Sequence, residues 1–210
     1  SVGAKNGSSY VADGCSAENL MPVWYDKIKN PEAIFQRRAT KEFVRSFGRV
    51  ESIFKAEPLF KLVRENLNYE DLVRRPQEFL ASTTLLPEWK ARYFSNKDEE
   101  IIVDPEMMVS AIVASCSILV AFPTVRMTRY GKTGEYIDGA FRWPLPILRA
   151  VELGCNTIIV IRCHSKNTIR PTPPWWYQRV TYGFGGLHNN AEKKEILDMI
   201  QENYLKSMNR

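Results

Sequence analysis

The stretch Gly134–Cys163, GEYIDGAFRWPLPILRAVELGCNTIIVIRC, limits the possible folds more than any other part of the chain. Tyr136-Ile137 is a short β-prone run. Asp138-Gly139 ends it, because glycine permits positive φ and a close backbone approach. Pro144 and Pro146 suit a first helical turn, where a missing N–H costs little. Ile147, Leu148, Val151 and Leu153 set out a helical apolar stripe, and Gly154 fits the position just past the helix end. Thr157–Ile161 is a continuous β-branched run, the pattern of a strand buried on both faces. One carboxylate, Asp138, is thereby expected on a turn beside a parallel sheet, where α/β proteins place their chemistry.

The elements around this stretch follow from local signals. The segment from Ser1 to Gly14 is rich in small residues, which let a helix pack close to a sheet. Residues 16–76 form a charged, mostly helical block. Pro22–Lys29 reads as one helix; Glu57-Pro58 opens another with Leu59, Phe60, Leu62 and Val63 inward; Tyr69–Val73 is a third. Arginines at 37, 38, 45, 49, 74 and 75 are interleaved with Glu42, Glu51 and Glu65, the pattern of a solvated face. Glu78–Leu85 and Ala91–Ser95 are strands separated by the Pro87-Glu88 turn. Asp104 as N-cap and Pro105 at N1 start a helix with Met108, Ile112 and Leu119 along its stripe, stopped by Phe122-Pro123. Val125–Thr128 is a short strand, and Gly131–Gly134 a turn. Pro171, Pro173 and Pro174 stiffen a connector that leads to Trp175, Trp176, Tyr177, Tyr182 and Phe184. Asn189 with Glu192 resembles a capping box before a C-terminal amphipathic helix.

Composition narrows the function classes. The 210 residues suit one domain, with 44% apolar and 25% charged side chains and a net charge of +5. That mild excess is well short of a nucleic-acid footprint. Cys15, Cys116, Cys155 and Cys163 form no CxxC pair and read as reduced core thiols of a cytosolic protein. With only His164 and His188 available, a zinc site is not expected, nor is any cofactor. No apolar run reaches membrane-span length.

The candidate chemistry rests on one serine, one turn aspartate and one histidine. Ser1-Val2-Gly3 matches the second half of a G-x-S-x-G nucleophile elbow. A serine hydroxyl needs a base for its proton and an oxyanion hole for the developing charge. Three arrangements are open. Asp138 acts as the base directly; Ser1, Asp138 and His164 form a triad in α/β-hydrolase order; or Ser1 uses its own α-amine.

Several blocks, in order, resemble the patatin-like phospholipase family, in particular a bacterial branch of it. They are Ser1-Val2-Gly3-Ala4-Lys5-Asn6, Ala91-Arg92-Tyr93-Phe94-Ser95-Asn96, Ala114–Ile118 through Phe122-Pro123, Tyr136-Ile137-Asp138-Gly139-Ala140, and Leu153-Gly154-Cys155 through Val160. The resemblance covers most of residues 1–165. It implies a three-layer α/β/α fold in one domain over 1–210, with a helical insert at about 16–76 and an aromatic connector and helix at about 165–210.

It further implies hydrolysis of lipid or phospholipid esters by a Ser–Asp dyad through an acyl-enzyme. Ser1 is then the nucleophile, Asp138 the base, and the Val2 N–H an oxyanion donor. Gly3 and Gly139 are the elbow and turn glycines, and His164 has no catalytic part. The chain departs from the family in reading Ile118-Leu119 where S-I-P is usual. It also lacks the family's glycine-rich oxyanion loop and first strands, which precede the serine. The 210 residues are therefore expected to be part of a longer polypeptide and poorly active alone. A cytoplasmic protein that can touch membranes peripherally is expected. The alternatives are a non-catalytic module of the same fold binding lipid or protein, and an esterase that uses His164.

Overall fold

In a computed structural model, the structure describes residues 2–18, 20–27, 34–39 and 52–161. The chain divides into two compact units, Ser1–Gly139 and Ala140–Arg210. The first is a mixed α/β unit built on a four-stranded sheet in the order β2-β1-β4-β3. Its strands are β1 (Leu80–Leu86), β2 (Lys90–Ser95), β3 (Val125–Arg129) and β4 (Lys132–Asp138). Every pairing is antiparallel. Short connections explain two of the three. β1 and β2 are joined through Pro87-Glu88-Trp89, too short for a parallel crossover. β3 and β4 are joined through Tyr130-Gly131, both at positive φ, the geometry of a two-residue hairpin turn. Gly134 lies inside β4 and not in that turn.

Alternation along the strands divides the sheet into two faces. Ala81 and Leu85 on β1, Phe94 on β2, Val125 and Met127 on β3 and Tyr136 on β4 share one face with the hydrophobic core. The register puts Asp138 on this face, since it pairs with Thr83 two positions beyond the Tyr136–Leu85 pair. Phe94 is fully buried, meets Tyr136 edge-on at 5.4 Å, and carries the Arg129 guanidinium 4.9 Å above its ring. Arg129 also donates to the Tyr93 carbonyl at 2.7 Å and to Asp98 at 2.7 Å. The half-buried charge is thus fully partnered, which offsets the cost of taking it partly out of water.

Helices cover the core face. They are α1 (Val2–Ala12), α2 (Glu57–Asn66), α3 (Tyr69–Arg74), α4 (Glu99–Val103) and α5 (Pro105–Cys116). α5 is central and packs on β1, β3, β4, α1, α2 and α4. Its sequence explains the position: from Met107 to Cys116 it has only serines as polar residues, so almost the whole circumference suits the interior. Met108, Val109 and Ala111 through Ser115 are buried. Asp104 caps it by accepting the Glu106 N–H at 3.0 Å, with Pro105 in the first turn.

The helix stops at Cys116, before the expected Phe122-Pro123 boundary. The Ser117 hydroxyl donates to the Val113 carbonyl at 2.9 Å and its N–H donates to Ala114, tightening the last turn. Leu119 is therefore outside the helical stripe. α2 keeps Leu59, Leu62 and Val63 buried, as the pattern requires. α1 buries Ala4, Ser8 and Ala12, small residues spaced by four, which bring its axis close to the core.

Asn96 joins α3 to the start of β1. Fully buried, it accepts the Phe79 N–H at 2.8 Å and donates to the Leu72 and Gln77 carbonyls. The expected Pro22–Lys29 helix is a single turn at Leu20–Pro22 followed by a π turn at Val23–Lys27, with 28 and 29 outside the described residues.

In the second unit, α6 (Ile147–Glu152) ends as the sequence predicts. Gly154 has φ +81°, its N–H reaches Val151, and the Cys155 N–H reaches Ala150, a Schellman closure. The Thr157–Ile161 run differs from expectation. It belongs to no strand, and Ile159 and Ile161 are 84% and 86% exposed. A strand buried on both faces needs a neighbour on each edge, and no described strand pairs with it. The described sheet is accordingly antiparallel throughout. No helix of the described residues is long and apolar enough to cross a membrane.

Phe94→Ala is expected to lower stability by about 3–5 kcal/mol, because the cavity opens under both Tyr136 and Arg129. Urea denaturation measures this. A loss under about 1 kcal/mol would contradict this account of the core.

Candidate functional site around Asp138

Asp138 is the last residue of β4 and is 6% exposed. Three structural pieces meet at its backbone and side chain. Its N–H donates to the Ser117 carbonyl at 3.0 Å, tying the end of the strand to the end of α5. Its carbonyl accepts the Thr84 hydroxyl of β1 at 3.1 Å. The Cys116 thiol lies within electrostatic reach of the carboxylate and against the backbone of Lys5 in α1. Burial pushes that thiol up from its usual range, and the nearby Asp138 charge pushes in the same direction. The thiol form of the half-buried Cys116 is thereby favoured over the thiolate, the nucleophilic species.

The turn after Asp138 is fixed by contact, not by φ. Gly139 is absent from the positive-φ glycines of the chain. A Cβ there would sit 2.3 Å from the Ser82 hydroxyl and 2.6 Å from both the Ser82 carbonyl carbon and oxygen. The chain leaves β4 lying directly on the β1 backbone, and only glycine fits. Of the two reasons for a glycine at this position, the close approach is the operative one.

α1, over Val2–Ala12, is the helix that follows Ser1 in sequence. Its first turns are anchored. The Ser8 hydroxyl donates to the Lys5 carbonyl at 2.8 Å, and Asn6 accepts the Trp24 indole N–H at 2.9 Å. The buried Lys5 ammonium lies 5.9 Å from the Trp24 ring centre. At the far end, Arg75 donates to the Ala12 carbonyl at 3.1 Å, a cation on the negative pole of α1. That contact gives Arg75 a structural duty in place of the solvated one.

Of the sequence-derived site residues, the structure brings the α1 backbone and Asp138 to the same end of α5. Gly3 is exposed in the first turn of α1, and Val2 is the first residue of that helix. Ser1 and His164 lie outside the described residues, as do Cys163, His188, the aromatic connector and the C-terminal helix. Thr84, Ser117 and Cys116 were not apparent from sequence. The Ser-Thr-Thr run at 82–84 looks like ordinary strand sequence, although Thr83 and Thr84 are fully buried. No cluster of three or more His, Cys, Asp or Glu placed to hold a metal occurs among the described residues. Comparison with protein-family models, with curated proteins and with solved structures finds no match.

Gly139→Ala is expected to cost roughly 1–3 kcal/mol by overpacking, read from the urea midpoint. Adding Ser82→Gly should not recover the loss, because the Ser82 carbonyl group stays 2.6 Å from the new methyl. A Gly139→Ala protein as stable as wild type would show that the strand does not lie against β1 as described.

Proposed function

We propose that the chain is a serine acyl hydrolase acting on lipid or phospholipid esters, with Ser1 as nucleophile and Asp138 as base. We also propose that the Ser1–Gly139 unit is part of a patatin-like three-layer fold. The observation that carries the reading is the placement of Asp138. A carboxylate is buried at the end of a strand, on the face of the sheet covered by the helix that begins one residue after Ser1.

The chemistry follows from those groups. Asp138 accepts the Ser1 hydroxyl proton as Oγ attacks the ester carbonyl carbon. The carbonyl π electrons move to oxygen, and the Val2 N–H at the positive end of α1 faces that charge. On collapse, the alcohol leaves with the proton held by Asp138 and Ser1 keeps the acyl group. Asp138 next takes a proton from water, hydroxide equivalent adds to the acyl carbon, and the acid departs as Ser1 regains its proton. No histidine is needed, so His164 is outside the reaction.

The test is labelling and turnover in the full-length protein. A fluorophosphonate probe should label wild type and not Ser1→Ala. Asp138→Asn should lower p-nitrophenyl ester hydrolysis by at least about 10²-fold, while His164→Ala stays within about 3-fold. Labelling that persists in Ser1→Ala refutes the nucleophile assignment. Loss in His164→Ala equal to that in Asp138→Asn points to the triad. Liposome binding without labelling or turnover points to the non-catalytic module.

A further inference from the structure

We infer that Thr84 is a positioning residue for Asp138, setting the carboxylate in place through the backbone and not by touching the reacting atoms. The inference rests on the dyad reading of Asp138 given above.

Asp138 is where the β1–β4 ladder ends: Thr83 pairs with Asp138, and no later residue of β4 has a partner on β1. A strand end of this kind leaves the backbone free to swing, and a swing about φ and ψ of the last residue carries its side chain with it. Two hydrogen bonds oppose this. From the α5 side, the Ser117 carbonyl holds the Asp138 N–H at 3.0 Å. From the β1 side, the Thr84 hydroxyl donates to the Asp138 carbonyl at 3.1 Å and lies 3.5 Å from that of Gly139. The peptide plane on each side of the Asp138 Cα is thereby held by a different element.

Thr84 is suited to this task. It is fully buried, and its register partner is Ile137, so its side chain is on the face opposite Asp138. It reaches only the carbonyls of the turn, not the carboxylate face. Its β-branched side chain has few rotamers to lose, and burial excludes water as a competing acceptor. Gly139 lies against the β1 backbone at Ser82, so the turn has no room to rearrange around a lost bond. The missing bond would be taken up by the angle of the Asp138 plane.

Thr84→Val replaces the hydroxyl with a methyl at nearly constant shape, and Thr84→Ser keeps the hydroxyl. In p-nitrophenyl butyrate hydrolysis by the full-length protein, Thr84→Val should lower kcat by roughly 10- to 100-fold, with KM within about 2-fold. Thr84→Ser should recover most of the rate. The fluorophosphonate labelling rate should fall and recover in parallel. Thermal melting checks folding in each variant.

Wild-type kcat in Thr84→Val, with Asp138→Asn inactive, overturns the inference and leaves the dyad standing. Loss that tracks the folded fraction and is not recovered by Thr84→Ser overturns it as well, leaving Thr84 a structural role only. Full activity in both Ser1→Ala and Asp138→Asn removes the dyad and this inference together.

Discussion

The hydrogen bond from the Asp138 N–H to the Ser117 carbonyl is the joint on which the first unit depends. It is made where the central helix and a central strand both end. α5 ends there because the Ser117 hydroxyl and N–H turn back onto Val113 and Ala114, leaving the Ser117 carbonyl pointing out of the helix. β4 ends there because Gly139 leads the chain onto β1. The Ser117 carbonyl at one termination and the Asp138 N–H at the other satisfy each other, as buried backbone groups must. Moving either boundary by one residue would leave a buried donor and a buried acceptor unpaired, at about 1–3 kcal/mol each.

The same joint explains why the carboxylate is where it is. Period-two alternation puts Asp138 on the side of Tyr136, the face that meets α5 and α1. A one-residue slip of β4 against β1 would move the carboxylate to the other face and Ile137 into the core. The slip is blocked twice. Gly139 matches only the surface of Ser82, and Tyr136 must lie edge-on to Phe94. Core packing and the position of the acid are thus one constraint, so damage to the first is expected to reach the second.

Much of the local structure was legible in the sequence. The Asp104-Pro105 start, the Gly154 closure and the inward face of α2 are signals carried by neighbouring residues, and they form as those residues require. What sequence could not supply was tertiary satisfaction. The end of α5 is set by Ser117, whose hydroxyl was as free on paper to face solvent as to bond Val113. Asn96 and Arg129 are polar residues whose partners lie 17 to 36 positions away. Sheet direction was missed for a related reason. β-branched runs report burial and not partner direction, whereas the two short connections made each hairpin antiparallel. Asp138 itself was legible because Asp-Gly after a β-prone pair is a local signal; its buried support from Thr84 was not, because threonine in a strand is unremarkable until its partner is known.

A carboxylate held at the end of a strand has a mechanical consequence. Catalytic groups must be held to about half an ångström, and regular elements do this better than loops. Asp138 has the precision of a sheet residue, because its pairing with Thr83 and its two flanking hydrogen bonds leave little slack. α1 is likewise anchored, at its first turns by the Asn6–Trp24 hydrogen bond and at its far end by Arg75. In the proposed dyad, a proton transfer between groups on two anchored elements would need little reorganisation, which would let it dispense with the mobile imidazole of a triad. The cost is intolerance. Any substitution that tilts α1 against β4 would shift Asp138 relative to the helix that follows Ser1, and with it the geometry of the proposed dyad. The half-buried Cys116, within reach of both the Lys5 backbone and Asp138, is then consequential for that geometry.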